Sequence, residues 1–289
     1  MRKKKRNHFV PQAYLRAFAS DTTRRKIWAF PNDAGEPRLR PIEKVAVKFY
    51  LYAPAGPAGR DYSFEDKLSQ LEQFFGGPHW QAASTAYVDL MDEPLRKMIS
   101  LLAAVMYLRS PVQFEFWKSQ HASIVDLMSQ DPGPPDQVEI NGKTINLDQE
   151  SWPAYRDASE DDLKRMWLRE VGGAAWLAKI FLEMRWSVMC SEEPIFITTD
   201  NPVTPVHKDL RFRGFRNPET SVMFPLSPTR LLWLDHRYSE PAGQYYPAND
   251  PGATNVLLWR NATANWFSHR DPHLVCAEIV QSAERMGYA

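Results

Sequence analysis

The sequence predicts an α+β fold in a single domain, with a helical middle section and a mostly antiparallel sheet formed by N-terminal and C-terminal strands. The 289 residues are 44% hydrophobic and 24% charged, which is typical of a globular protein with one large domain. Apolar residues recur at helical spacing in the middle of the chain, and short β-branched and aromatic runs stand on either side. We find no internal repeat, so a solenoid or propeller is not expected.

The N-terminal region predicts one short helix followed by strands. Pro11 suits the first turn of a helix, and Tyr14, Leu15 and Phe18 then fall on one face at helical spacing. An apolar face of this kind needs a partner surface, so we expect these three side chains to be buried. Two strands are predicted after the helix, over residues 25–30 and 45–52.

The middle section predicts mostly helices. Ser63 opens a helix, and Gly76-Gly77 ends it. Gly172-Gly173 is expected to break a later helix. The further predicted helices cover residues 79–91, 94–109, 112–129 and 161–180. Residues 131–153 are predicted to be a loop-rich insertion, either a loop or a small hairpin around Asn141-Gly142.

Strand patterns return in the C-terminal third. The predicted strands cover residues 186–190, 195–199, 222–226 and 231–234. A helix is predicted over residues 254–267, and residues 274–285 suit either a last strand or a last helix. The late return of strands is the reason for placing part of the sheet at this end of the chain.

Cysteine usage and hydropathy indicate a soluble protein of the cytoplasm. Cys190 and Cys276 are isolated, which excludes a disulfide framework and a cysteine-rich zinc site. The basic start runs into polar residues rather than a long apolar segment, so no signal peptide is expected. The longest apolar run, residues 99–108, is about half the length that a membrane span requires, so no membrane partner is expected.

Charge is distributed unevenly along the chain. Residues 1–60 hold 14 Lys and Arg against 4 Asp and Glu, although the net charge of the whole chain is zero. The basic N-terminal arm, residues 1–6, contains Arg2, Lys3, Lys4, Lys5 and Arg6. The imbalance indicates a phosphate-binding arm or a segment that docks on the acidic remainder of the protein, and a solvated terminus is the alternative.

The N-terminal motif resembles a known family. Residues 7–18 read Asn-His-Phe-Val-Pro-Gln-x-Tyr-Leu-x-x-Phe, which is similar to the signature of a bacterial family, domain of unknown function 4238. The later pieces that match are Phe49-Tyr50, Glu65 with Glu72, Arg109-Ser110-Pro111, residues 198–202, residues 224–228, Asn255, Ala264 and Phe267-Ser268. Thr199 replaces an expected Ser but keeps the hydroxyl. The resemblance covers nearly the whole chain and implies one domain built from distant pieces, with no known activity.

His8 and Gln12 are the first candidate site residues. An imidazole at the start of a helix is held neutral by the positive end of the helix dipole, so His8 could act as a general base or metal ligand. Gln12 lies four residues later, on the same face, and could bind the same polar group. The alternative is that His8 only caps the helix or packs against Tyr14.

Acidic and basic side chains supply the remaining candidates. Glu65 and Glu72 share a helix face, and the apolar neighbours of Glu72 could raise its pKa for acid–base work. Asp200 and Asn201 follow a predicted strand, where either catalysis or an ordinary Asx turn is expected. Arg109 ends an apolar helix and would need an anionic partner if buried, and a plain helix cap is the alternative.

Two functional hypotheses follow from these residues. The first is a metal-assisted phosphodiester hydrolase, nuclease-like, that acts on nucleic acid with Mg²⁺ or Mn²⁺. His8, Glu72 and Asp200 would be its catalytic centre, and the substrate-binding residues would be Gln12, Arg109, Asn201 and the basic arm. The second is a non-catalytic module that binds nucleic acid or a protein. A small-molecule enzyme also stays open, whereas phosphate-binding glycine loops and serine-hydrolase elbows are absent from the sequence.

The two hypotheses differ in the geometry that they require. The hydrolase needs His8, Glu72 and Asp200 to meet in one pocket, with His8 and Asp200 close enough to share a ligand. Scattered or fully satisfied side chains favour the binding module.

Overall fold

A computed structural model gives the fold and describes residues 5–33, 35–129, 136–140, 143–146, 148–207, 212–248 and 250–287. Over these residues the chain has the α+β architecture that the sequence predicts, with helices concentrated in the middle and strands towards both ends. The strands are β1 (Arg6–His8), β2 (Lys26–Pro31), β3 (Arg38–Pro41), β4 (Val47–Phe49), β5 (Ala55–Gly56), β6 (Gly59–Arg60), β7 (Gln137–Ile140), β8 (Lys143–Asn146), β9 (Arg185–Cys190), β10 (Thr198–Thr199), β11 (Thr204–His207), β12 (Thr220–Ser227), β13 (Arg230–Asp235), β14 (Gln244–Pro247) and β15 (Asn265–Ser268). The helices are α1 (Gln12–Leu15), α2 (Ser63–Glu72), α3 (Pro78–Thr85), α4 (Glu93–Leu108), α5 (Pro111–Met128), α6 (Trp152–Arg156), α7 (Glu160–Gly172), α8 (Ala175–Glu183), α9 (Pro251–Asn261) and α10 (Pro272–Arg285).

The strands form two main sheets and three two-stranded pairs. The first main sheet has the order β10-β15-β2-β3, so it joins N-terminal and C-terminal strands as the sequence predicts. The second has the order β11-β12-β13-β9-β14 and is built from the C-terminal third alone. Every pairing within the described strands is antiparallel except that of β14 with β9.

The N-terminal helix is buried as predicted. Tyr14, Leu15 and Phe18 are each 0% exposed, and a short 3₁₀ turn continues α1 to Phe18. The Tyr14 hydroxyl donates a hydrogen bond of 2.8 Å to the Pro225 carbonyl and lies 2.7 Å from the Thr198 hydroxyl. The helix is therefore attached to both main sheets by one side chain.

The predicted middle helices are present, but one is shorter than predicted, and the short helix α6 was not predicted. The helix predicted over residues 79–91 ends at Thr85. Ala86 is extended and ends α3. The residues that follow form a turn in which the Asp89 carboxylate accepts from the Met91 N–H at 2.8 Å, and Asp92 caps α4. Gly173 lies at the predicted break between α7 and α8.

Two predicted strands are shorter than expected. Ala46 and Tyr50 have positive φ angles of 49° and 53°, so residues 45–52 supply only the three residues of β4. In the 195–199 segment, the Ile197 N–H donates to the Asn255 side chain at 3.1 Å instead of to a strand. Pairing there is confined to β10.

The helix predicted over residues 254–267 is wrong in its second half. It ends at Asn261, and residues 265–268 form β15, which lies between β10 and β2. Backbone pairing on both sides stabilises the extended form there more than helical periodicity does. Residues 272–285 form a helix, α10, which the Asp271 side chain caps.

The loop-rich insertion contains a hairpin, one of the two forms that the sequence predicts. β7 and β8 pair antiparallel, and the expected turn at Asn141-Gly142 lies outside the described residues. No described helix has the length and apolar character needed to cross a membrane.

Candidate functional site

His8 lies at the end of β1, three residues before Pro11, the N-cap of α1, so the prediction that it stands at the start of the helix is wrong. Both of its ring nitrogens are in hydrogen bonds. The Gln12 amide donates to Nδ1 at 3.4 Å, and Nε2 donates to the Glu43 carbonyl at 3.2 Å. This arrangement requires a proton on Nε2 and none on Nδ1, which is the neutral ring. Burial lowers the pKa of His8 below its usual 6.5, against the opposing effects of the Glu43 hydrogen bond and the Glu72 charge.

Arg109 connects His8 to Glu72. Its guanidinium donates to the His8 carbonyl and lies 2.7 Å from the Glu72 carboxylate. The Arg109 side chain is only 2% exposed, whereas that of Glu72 is 29% exposed. The Tyr52 hydroxyl donates to the Arg109 carbonyl at 2.8 Å. Arg109 therefore has the anionic partner that the sequence analysis required of a buried arginine, and His8, Gln12, Glu72 and Arg109 form one cluster.

Asp200 follows β10 and is occupied by backbone groups. Its carboxylate accepts hydrogen bonds from the N–H groups of Thr263, Ala264 and Asn265, at 2.7 to 3.0 Å. Burial raises the pKa of the Asp200 carboxyl, and these backbone donors oppose that shift. The carboxylate holds the chain between α9 and β15 in place. The local Asx turn that was the alternative is not formed by this carboxylate, because its donors are distant in sequence and Pro202 has no N–H to donate.

Asn201 belongs to the same connection. Its N–H donates to the Thr199 hydroxyl at 3.0 Å, and its carbonyl accepts from the Asn261 amide at 2.8 Å. The Asn201 side-chain oxygen is buried and has no hydrogen-bond partner among the described residues. The Asp-Asn-Pro motif thus joins the end of β10 to the end of α9.

The three predicted catalytic residues fall into two places. His8 and Glu72 share the Arg109 cluster, whereas the hydrogen bonds of Asp200 go to residues 263–265. Among the described residues, no three His, Cys, Asp or Glu side chains are placed to hold one metal ion. Asp200 and Phe9, the neighbour of His8, nevertheless line one cavity. That His8 and Asp200 share a ligand stays a prediction.

This shared cavity, about 500 Å³ in volume, has a basic wall that sequence analysis did not single out. We call it the basic groove. It lies between the β2–β3 hairpin and residues 44–48, and its four cations are Arg38, Arg40, Lys44 and Lys48. All four are exposed, and none forms an ion pair with a described residue.

Three carboxylates also border the basic groove. Asp33 and Glu36 belong to the turn between β2 and β3, and Asp200 is buried and bonded to backbone N–H groups. In the β2–β3 register, Arg38 pairs with Ala29 and Arg40 with Ile27. Arg38 is therefore next to the acidic turn, and Arg40 lies two residues further from it along β3. The acidic groups are thus at the hairpin end of the groove.

The basic N-terminal arm is only partly described. Arg2, Lys3 and Lys4 lie outside the described residues. The Lys5 carbonyl accepts from the Tyr50 N–H at 3.0 Å, and Arg6 begins β1 and donates to the Glu43 carbonyl at 3.1 Å. Lys5 and Arg6 are therefore part of the folded chain.

The signal for the basic groove was present in the sequence. Arg38 and Arg40 alternate, and alternate residues of a strand share a face. The excess positive charge of residues 1–60 includes these residues together with Lys44 and Lys48. Five consecutive cations in the arm dominate the charge pattern, so the sequence directs attention to the arm rather than to these four residues.

Comparison with known proteins yields a family but no characterised relative. Residues 6–272 match a family model described as "Protein of unknown function (DUF4238)". No curated protein and no solved structure matches the chain.

Proposed function

Because the chain belongs to DUF4238, a family whose description assigns no activity, we propose from its surface that it binds nucleic acid through the basic groove without cleaving it. The observation that carries the proposal is the convergence on one cavity of four cations that form no ion pair with a described residue. Backbone phosphates are the ligands for such a surface, because each contact releases a condensed counterion. This is the binding-module alternative of the sequence analysis.

An exposed aromatic ring favours single strands over duplex. Phe49 is 67% exposed, follows Lys48 on β4 and pairs with Arg6 of β1. Single-strand binding combines a cationic groove with aromatic rings on which bases stack. Phe49 does not line the groove, and neighbouring residues of a strand face opposite sides, so a strand that follows the cations would have to pass the edge of β4 for a base to stack on Phe49.

The catalytic candidates support binding better than cleavage. Both ring nitrogens of His8 and the Asp200 carboxylate already have partners within the protein. These residues and Glu72 do not make a three-ligand metal site in the described part of the chain. The residues present therefore do not fit the Mg²⁺ or Mn²⁺ centre that the hydrolase hypothesis needs, and we derive no metal-dependent step.

Salt dependence tests the binding proposal. Binding of a fluorescent single-stranded oligonucleotide is measured by anisotropy between about 50 and 200 mM salt. The double variants Arg38→Gln/Arg40→Gln and Lys44→Gln/Lys48→Gln should each weaken binding. Each lost phosphate contact should reduce the slope of log K against log salt by about 0.7. Phe49→Ala should weaken binding with less change in slope.

Matched controls separate the groove from net charge and from the arm. Lys97→Gln/Lys179→Gln removes two exposed charges on α4 and α8 and should leave the slope unchanged. Deleting residues 1–4 tests the arm and leaves β1 intact. The proposal fails if wild-type protein does not bind at about 50 mM salt. It also fails if the control pair lowers binding as much as the groove variants do.

The hydrolase hypothesis keeps one supporting observation, namely a neutral histidine whose neighbour Phe9 lines the groove. Oligonucleotide cleavage is assayed separately with added Mg²⁺ or Mn²⁺. Cleavage that is lost in His8→Ala, while binding is retained, would support a nuclease. Binding with no cleavage above a buffer control supports the binding module.

A location in the cytoplasm is part of the proposal. Cys190 and Cys276 are both free thiols, which suits a reducing compartment. Immunodetection after cell fractionation should find the protein in the cytosolic fraction.

A further inference from the structure

A second cavity lies on a different part of the molecule and has aromatic walls. It occupies about 550 Å³ among α4, α5, α7, α8 and residues 212–216, and no residue lines both this cavity and the basic groove. Seven of its described lining side chains are aromatic. Its volume and its apolar character match those of small-molecule sites. We call it the aromatic cavity.

The inner walls of the aromatic cavity are fixed by packing. The Trp167 indole N–H donates to the Leu108 carbonyl at 2.9 Å. The Phe215 ring meets the rings of Tyr107 and Phe181 edge to face, with centroids 4.9 and 5.1 Å apart. These rings hold their positions without a ligand, so a bound molecule would not have to order them.

The outer walls are aromatic and open to solvent. Phe116 of α5 is 58% exposed, Trp176 of α8 is 49% exposed, and Phe212 is 46% exposed. Three large rings around one opening form an apolar patch that the described part of the chain leaves uncovered. A ligand that covers them would remove this apolar surface from water.

The charges around the cavity select the ligand. Glu170 of α7 lines the cavity, and its carboxylate has no hydrogen bond or ion pair with a described residue. Arg216 also lines the cavity, but its guanidinium lies 3.6 Å from the Glu183 carboxylate. The unpaired charge at the opening is therefore negative, and the faces of the surrounding rings attract cations as well.

We propose that the aromatic cavity binds an organic cation, a quaternary or protonated amine with apolar substituents. The ammonium group would lie over the face of Trp176 and near Glu170. The apolar substituents would fill the space towards Trp117 and Phe215. The proposal does not depend on nucleic-acid binding, because the two sites share no lining residue.

The test uses benzyltrimethylammonium and its neutral carbon isostere, neopentylbenzene. The full-length protein is titrated with each at equal low concentrations, and binding is followed by saturation-transfer NMR. The cation should bind saturably and at least about five-fold more tightly than the isostere. Trp176→Ala and Glu170→Gln should each weaken cation binding about five-fold, and Trp176→Phe should lose less.

Matched variants elsewhere complete the test. Glu160→Gln removes an exposed carboxylate from the opposite end of α7 to Glu170. Phe74→Ala removes an exposed ring that does not line the aromatic cavity. Both should leave affinity unchanged, and all variants should keep the wild-type melting temperature because the altered side chains are exposed. Absence of saturable binding would overturn the proposal. The proposal would also be overturned if the protein bound the isostere as tightly as the cation. It would likewise be overturned if the Glu170→Gln variant bound the cation as tightly as the wild type does.

Discussion

Arg109 keeps its guanidinium inside the protein because two protein oxygens accept from its Nη2, although its buried Nε has no hydrogen-bond partner among the described residues. The two oxygens are those of the His8 carbonyl and the Glu72 carboxylate, and the Tyr52 ring lies 5.4 Å below the guanidinium. A buried charge that loses its partner costs far more than a surface ion pair contributes. Glu72 is thus more important as the partner of Arg109 than as a group that could react.

Glu72→Ala should lower the free energy of unfolding by about 3 kcal/mol, because it leaves Arg109 buried without a carboxylate. Denaturation by urea measures the change. Gln70→Ala, an exposed position on the same helix, is the control and should change stability by less than about 0.5 kcal/mol. Equal effects of the two substitutions would contradict the role given to the ion pair.

The lowered pKa of His8 predicts a dependence of stability on pH. The unfolded chain binds a proton at His8 below pH 6.5, whereas the folded chain resists protonation there. Stability from this residue is therefore fully present above pH 6.5 and is lost as the pH falls below that value. His8→Gln should remove this part of the pH profile. Because burial also lowers the pKa of His269, the profiles are compared in a His269→Gln background, and identical profiles would refute the assignment.

At the scale of elements, α9 and α10 meet at Gly252. An added Cβ there would lie 2.6 Å from the Glu278 carbonyl oxygen and 2.8 Å from the Ser282 Cβ. Gly252→Ala should therefore destabilise the protein by about 1–3 kcal/mol. Thermal unfolding provides the measurement. Gly76→Ala is the matched control, since nothing lies within 4 Å of its added Cβ, and a similar loss there would show that helix packing is not the cause.

Asp200 connects β10 to the segment that enters β15. In Asp200→Ala, three backbone N–H groups lose their acceptor, and we expect a loss of about 3 kcal/mol or more. Asp200→Asn should lose less, because its amide retains one acceptor oxygen. If Asp200→Ala folds with wild-type stability in urea, the structural role is wrong.

Local signals in the sequence identify elements well and their partners poorly. The apolar face of α1 and the glycine break after α7 depend on neighbours within a few residues, and both were predictable. β15 could not be predicted from local sequence. Residues 265–268 are extended because they pair with residues 26–31 and 198–199, which are distant in the chain. The strand in the 45–52 segment likewise ends at Ala46 and Tyr50, whose backbones are left-handed. Neither residue is a glycine, so the sequence does not indicate these ends.

In the candidate site, too, the features that depend on nearby residues were predictable and those that depend on distant residues were not. The proximity of His8 and Gln12 was predicted from helical spacing, but the two residues lie on different elements, β1 and α1, and contact each other across the turn between them. The partner of Arg109 was predicted only as a need for an anion, because Glu72 lies 37 residues away. The basic groove combines a hairpin, a short strand and the Asp200 connection, so its shape depends on long-range packing that spacing alone does not reveal.

At the scale of the whole molecule, the first sheet needs both ends of the chain. A chain that stops at Asn261 lacks β15, so β10 and β2 lose the strand that joins them. We expect this shortened chain to lose cooperative unfolding, as followed by circular dichroism during heating. A chain that stops at Arg285 retains every described strand and helix and should unfold cooperatively. Cooperative unfolding of the shorter chain would argue against the role of β15.

The central position of β15 also has a consequence for synthesis on the ribosome. β2 is made early, but the strand that covers one of its edges is made more than 230 residues later. At about 5–20 residues per second, that edge stays unpaired for roughly ten seconds or longer. An open strand edge can pair with another chain, so the nascent protein is exposed to association with its neighbours during this interval. Chaperones that shield apolar and strand surfaces are therefore expected to contact the nascent chain until residue 268 has left the exit tunnel.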